Sequence, residues 1–190
     1  MSETLQQRAV ELLWQQWTAV GVAGVAPPPR HAIDLEAMIA FTPFIAAADP
    51  RLADESIDWC MRIGKSFISI SRLRQLVRLM PQHARDHSLD LAAMVLAKPG
   101  VRGHGQKLSN KSRSPKLELP SLLQLRSRYI FGVGARADLM SHLAVLDLRP
   151  HVYFQSGDRG RTGYTRQAVA TLLSELVGGG FLEKLAGRWV

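Results

Sequence analysis

Few residues in this chain have the types and spacing that chemistry requires. Gly64-Lys65-Ser66 matches the end of a phosphate-binding loop, but that loop carries its first glycine five residues earlier, where this chain has Trp59. A helical pattern rather than a strand precedes it, so no nucleotide site is expected there. The run Gly157-Asp158-Arg159-Gly160-Arg161-Thr162-Gly163 has the glycine content of an anion-cradling loop, yet it follows no convincing strand and holds no Gly-Lys-Ser/Thr. His83 and His87 are four residues apart, on one face if helical, but no cysteine or carboxylate set completes a metal site, and Pro81 and Ser88 mark a helix boundary. Cys60, beside Trp59 in an apolar-patterned helix, reads as a buried structural thiol rather than a nucleophile. Asp54, Glu55 and Asp58 balance Arg51 and Arg62 at helical spacing. No acid, base and pocket assemble from these residues, so the expectation is a chain that is not an enzyme and uses no cofactor or metal.

Charge is the more informative chemistry. Residues 1–97 carry nine Lys/Arg and ten Asp/Glu, residues 98–120 carry six and one, and residues 121–190 carry nine and five. The net charge of +8 therefore resides in the linker and the C-terminal third. A concentrated basic region attracts polyanions through phosphate contacts and counterion release. It coincides with a well-specified helix. Thr165 stands where an N-cap belongs, with its hydroxyl placed to accept from a first-turn amide. Ala168, Val169, Leu172, Leu173, Leu176 and Val177 fall on one face, and Arg166, Gln167, Ala170, Thr171 and Ser174 on the other. Gly178-Gly179-Gly180 supplies a left-handed stop. Phe181–Leu185 and Arg188–Val190 then have the pattern of a small hairpin turning at Ala186-Gly187.

Helix formers dominate the elements that must carry these residues, so the expected fold class is mainly α. An amphipathic helix over 3–20 has Leu5, Ala9, Leu12, Leu13, Trp17 and Val20 as its apolar stripe and ends at a stiff Pro27-Pro28-Pro29 connector. Asp34 caps a second helix with Leu35, Met38, Ile39 and Phe41, which Pro43 is expected to end or kink. Asp49-Pro50 starts a third, with the proline at its first position, stopping near Gly64. In the next, Leu73, Leu76, Val77, Leu79 and Met80 form an arc, with Arg74 and Arg78 opposite and Arg72 at the boundary. A last helix over 88–97 closes a helical domain at 1–97. The Gly/Ser/Pro-rich basic stretch 98–120 reads as a flexible linker, able to lie along phosphates or serve as a spacer. Two helices follow, one from Ser121 through Phe131 and one over 135–146 with Leu139, Leu143 and Leu146 inward, in a domain at 121–190.

The single cysteine excludes an internal disulfide and suits a reducing compartment. The N-terminus lacks the apolar region of a secretory signal. No apolar run approaches the roughly 20 residues of a membrane span. A cytoplasmic protein without membrane contact is expected.

Two segments, R-Y-I-F-G-V-G-A-R-A-D-L-M-S-H-L at 128–143 and G-Y-T-R-Q-A-V-A-T-L-L-S-E-L at 163–176, resemble bacterial winged-helix regulators. The second is similar to the turn into the recognition helix of MarR-type and ArsR-type domains. The segment D-P-R-L-A-D-E-S-I-D-W at 49–59 resembles bacterial proteins carrying such a C-terminal domain, some of which accompany nucleotidyltransferase-type toxins. The resemblance implies a helical N-terminal bundle plus a C-terminal winged helix-turn-helix with a β-hairpin wing. One departure stands out. The stretch before Gly163, with Gly157 and Gly160, is poor material for the usual supporting helix.

Carried over residue by residue, the resemblance assigns Thr165, Arg166, Gln167, Ala170 and Thr171 to the reading of double-stranded DNA. Arg166 would pair with guanine and Gln167 with adenine, while Ala170 permits close approach. Arg159, Arg161 and Arg188 would rest on phosphates. The implied function is that of a DNA-binding transcriptional regulator acting as a homodimer. The alternative is an antitoxin-like component whose winged helix docks a protein partner.

Overall fold

The computed structural model describes residues 3–46, 48–80, 82, 110–146, 164–180, 184–185 and 188–189. The expected helix over 88–97, residues 98–109 of the linker, His83, His87 and the glycine-rich run 157–163 lie outside the described residues. What is described is mainly helical and divides into two compact units, residues 1–126 and 127–190.

In the first unit α1 (Glu3–Ala19), α2 (Leu35–Ala46), α3 (Pro50–Arg62) and α4 (Ile70–Leu79) share one core. Helix α2 packs on the other three. The stripe of α1 turns inward as Leu13, Trp17 and Val20, while Leu5 and Leu12 are exposed. At 100° per residue Leu12 lies far round the helix from Leu13, whereas Trp17 and Val20 stay beside it. Trp17 meets Trp59 edge to face, ring centroids 5.8 Å apart. Both indoles are wholly buried, and both N–H groups find acceptors: Trp17 donates to Thr42 Oγ1 at 2.9 Å and Trp59 to the Val20 carbonyl at 2.8 Å. A buried indole N–H without a partner would cost about 1–3 kcal/mol, so these two bonds fix where α1 sits on α2 and α3.

Local chemistry sets the helix boundaries. Asp49 caps α3 by accepting from the Leu52 amide at 3.3 Å, with Pro50 at the first position, and its other oxygen accepts from Trp14 Nε1 at 2.7 Å. Asp34 caps α2 through the Ala37 amide at 3.1 Å. Pro43 does not end α2, which continues to Ala46. The proline withdraws one backbone donor, but the flanking Ile39, Ala40, Thr42 and Ile45 are all buried, and packing outweighs that loss. Gly64 follows α3 because a Cβ there would lie 2.7 Å from the Trp59 ring, so its role is close packing rather than phosphate binding.

Residues 110–120 belong to this first unit rather than to a free linker, and the division between units falls inside α5 (Leu123–Phe131). The Arg113 amide donates to the Gly21 carbonyl at 2.8 Å, and the Asn110 amide reaches Asp58 at 3.4 Å. Leu117 and Leu119 pack on the core. Ile33 donates to the Ser121 carbonyl at 2.8 Å and Leu35 to Gln124 at 2.9 Å. Arg126 gathers the carbonyls of Leu117, Glu118 and Leu119. A Gly/Ser/Lys-rich stretch has little apolar surface of its own, but backbone groups of Asn110, Arg113 and residues 117–119 find partners outside it.

In the second unit α6 (Ala135–Leu146) packs against α7 (Arg166–Gly178). Leu139, Val169 and Leu173 form the buried core, with Leu143, Tyr164, Leu172 and Leu176 against them. Two short strands, β1 (Lys184–Leu185) and β2 (Arg188–Trp189), pair antiparallel with Lys184 opposite Trp189 and Leu185 opposite Arg188.

Candidate nucleic-acid interface

Helix α7 begins where the sequence places it. The Thr165 hydroxyl accepts from the Ala168 amide at 3.3 Å. The helix ends at Gly179, whose N–H returns to the Glu175 carbonyl at 2.9 Å, and Gly180 follows at φ +73°. Only a residue without a Cβ takes that conformation cheaply, so the triglycine limits the helix to 13 residues. Val169 and Leu173 are buried, while Gln167, Ala170, Thr171 and Ser174 are exposed. The outer face thus carries short polar or small side chains along its N-terminal half. Ser174 bonds back to the Ala170 carbonyl at 3.0 Å. Glu175, the one carboxylate on this helix, pairs with Arg136 of α6 at 2.8 Å. Both side chains are more than half exposed, so the pair is worth no more than about 1 kcal/mol in stability.

The start of α7 is tied down by a buried cluster. Arg128, at the C-terminal part of α5, makes a two-pronged pair with Asp138 of α6, Nε to Oδ1 at 2.7 Å and Nη2 to Oδ2 at 2.6 Å. The Arg128 side chain is 0% exposed and that of Asp138 is 6% exposed. Tyr164, just before the cap, donates its phenol to Asp138 Oδ2 at 2.7 Å. The planar guanidinium fork matches both carboxylate oxygens, and the phenol adds a third bond to the same group. The residue preceding the outward-facing helix is thereby fixed to the helix beneath it.

The sequence-based site residues are placed as follows. Thr165 is the cap, and Gln167, Ala170 and Thr171 share the exposed face. Arg166 opens α7, and Arg188 stands in β2 opposite Leu185; the side chains of both lie outside the described residues. Arg159 and Arg161 lie outside the described residues altogether.

Sequence reasoning missed the two buried arginines. Arg72, set at the edge of its helix, is 3% exposed; it contacts Asp34 at 2.5 and 2.6 Å and Glu36 at 2.7 Å. Glu36, wholly buried, also accepts the Ser69 amide at 2.7 Å just ahead of α4. Burial disfavours the Arg72 charge, but the two carboxylates more than offset this and hold its pKa above the ordinary arginine value. Spacing held the signal: Arg72 shares its arc with Leu73 and Leu76, and Arg128 follows Leu122 and Leu125 at three-residue steps.

The other chemistry-bearing residues take structural positions. Cys60 is fully buried, and burial pushes its thiol pKa up. Asp58 pairs with Arg62 at 3.2 Å, whereas Arg51 lies over the Trp14 ring at 5.5 Å instead of serving an acidic cluster. Among the described residues no group of three His, Cys, Asp or Glu side chains is placed to hold a metal, and no helix is long and apolar enough to cross a membrane. No family model, curated protein or solved structure matches this chain.

Proposed function

We propose that the chain is a duplex-DNA-binding regulator that reads the major groove with α7. The carrying observation is the two-faced character of that helix. Its inner face is sunk against α6, and its outer face presents Thr165, Gln167, Ala170 and Thr171 from a capped N-terminus. A helix N-terminus with small and hydrogen-bonding side chains is what a groove-reading helix presents to base edges. The net positive charge of residues 121–190 favours approach to phosphates. In this reading α6 and α7 with the β1–β2 pair form a winged helix-turn-helix, Arg166 and Gln167 contact bases, and Arg159, Arg161 and Arg188 contact phosphates. The protein would be a cytoplasmic homodimer without catalytic activity. Mobility shifts of short duplexes over a salt series test it.

One observation favours a second reading. Tyr129, Ile130, Phe131 and Val133 are all exposed, from 41% for Val133 to 74% for Tyr129. A cluster of exposed large apolar side chains marks an interaction surface more often than a free one. That favours an antitoxin-like component whose second unit docks a protein. Co-purification with the product of an adjacent gene, lost in Phe131→Ser, distinguishes the two.

A further inference from the structure

The first unit contains a cleft of about 690 Å³ between the end of α1, the loop after it and the segment 111–119. Its size is that of a small-molecule site. Ala19, Val22, Ala23, Pro28 and Leu119 give it apolar walls, and Lys111, Arg113 and Lys116 line it from one side. Among its described lining residues there is no carboxylate, although the unit as a whole is rich in them. The segment that carries these cations is anchored through its backbone at Arg113. Arg113 N donates to the Gly21 carbonyl at 2.8 Å, and Gly21, at φ +108°, lets that strand of chain approach so closely that a Cβ would stand 2.1 Å from the Arg113 carbonyl. Thr18, also on the wall, has a buried hydroxyl without a protein partner.

We propose that this cleft binds a small organic phosphate monoester, with the apolar body against Val22, Ala23 and Leu119 and the phosphate toward Arg113 and Lys116. Two cations suit a group of charge near −2 with three acceptor oxygens better than a single carboxylate. The concave, apolar-walled form suits a small molecule rather than the backbone of a duplex. The inference is independent of the duplex-DNA reading, since it uses only residues of the first unit.

Calorimetric titration of the full chain with phenyl phosphate, inorganic phosphate, benzoate and a short DNA duplex tests it. The expected result is saturable 1:1 binding of phenyl phosphate, at least about tenfold tighter than inorganic phosphate, which lacks the apolar body, and than benzoate, which has the ring but a single charge and two acceptor oxygens. The double variant R113Q/K116Q, altered only at exposed side chains, should lose about tenfold or more of that affinity with an unchanged thermal melt, and Ala23→Phe should block the site sterically. Absence of saturable binding overturns the proposal. So does phenyl phosphate binding no tighter than inorganic phosphate or benzoate, or unchanged in both variants. A loss of duplex binding in R113Q/K116Q without any phenyl phosphate site makes these cations DNA contacts and likewise overturns it.

Discussion

Tyr164 and Asp138, 26 residues apart, are joined by a 2.7 Å hydrogen bond from phenol to a carboxylate already held by Arg128. The bond links the residue ahead of the α7 cap to the middle of the cluster that orders the second unit. Tyr164→Phe removes one hydrogen bond to a charged group and is expected to cost about 1.5–3 kcal/mol. Asp138→Asn removes the carboxylate charge that the buried Arg128 fork and the Tyr164 phenol share and should cost more, about 3–5 kcal/mol. Urea unfolding followed by circular dichroism gives both values. Equal and negligible costs would contradict the role assigned to the cluster.

Arg72 is the corresponding anchor of the first unit, joining the start of α2 to α4 through Asp34 and Glu36. Arg72→Met keeps much of the volume but takes the guanidinium away from the buried Glu36 carboxylate, which keeps the Ser69 amide. The expected loss is about 3–5 kcal/mol, a fall of roughly 10 °C in melting temperature. Pairing Arg72→Met with Glu36→Gln should restore part of it. A double variant no more stable than the single one would show that the pair does not act as a unit.

These two arginines also mark the limit of what the sequence discloses. Asp49-Pro50, Thr165 and the triglycine announce helix ends because caps and stops are local, and the spacing over 135–146 places α6 correctly for the same reason. Arg72 and Arg128 find partners 36 and 10 residues away across a fold, so a basic residue on an apolar arc is legible while its partner is not. Residues 110–120 have the composition of a spacer, and contacts made once the bundle exists bring them into the first unit: the Arg113 amide on the Gly21 carbonyl, the Asn110 amide on Asp58, and Leu117 and Leu119 on the core. The outward face of α7 was legible from periodicity, but the Tyr164 tie beneath it was not.

Gly21 supplies a sharper test of that threaded segment. Gly21→Ala must adopt φ +108° and also meet the Arg113 carbonyl at 2.1 Å. The conformational strain alone costs about 1–3 kcal/mol, and the clash adds to it. Gly132→Ala, also at positive φ but with open space around its Cβ position, isolates the conformational part. Denaturation of the two variants should find Gly21→Ala clearly the more damaging.

Cys60 is expected to be inert in the folded chain. Burial holds its thiol protonated above the ordinary pKa of 9.0, so alkylation at pH 8 should be slow until the protein unfolds. The sign for stability follows. The unfolded thiol ionises as pH passes about 9 while the folded one stays neutral, so the contribution is full below that pH and is lost above it. Cys60→Ala should remove that part of the alkaline loss. Rapid labelling of the native protein at pH 8 would contradict the burial.

The central claim is that the N-terminal half of α7 reads duplex DNA, and the most direct measurement is a competition mobility shift against a selected duplex. The full chain should bind with an affinity that falls steeply with salt. Arg166→Ala and Gln167→Ala should each lose about 1–3 kcal/mol, or roughly 5- to 150-fold, on the selected site while keeping nonspecific binding and the thermal melt. No binding at low salt, or selected-site binding unchanged in both variants, would contradict it.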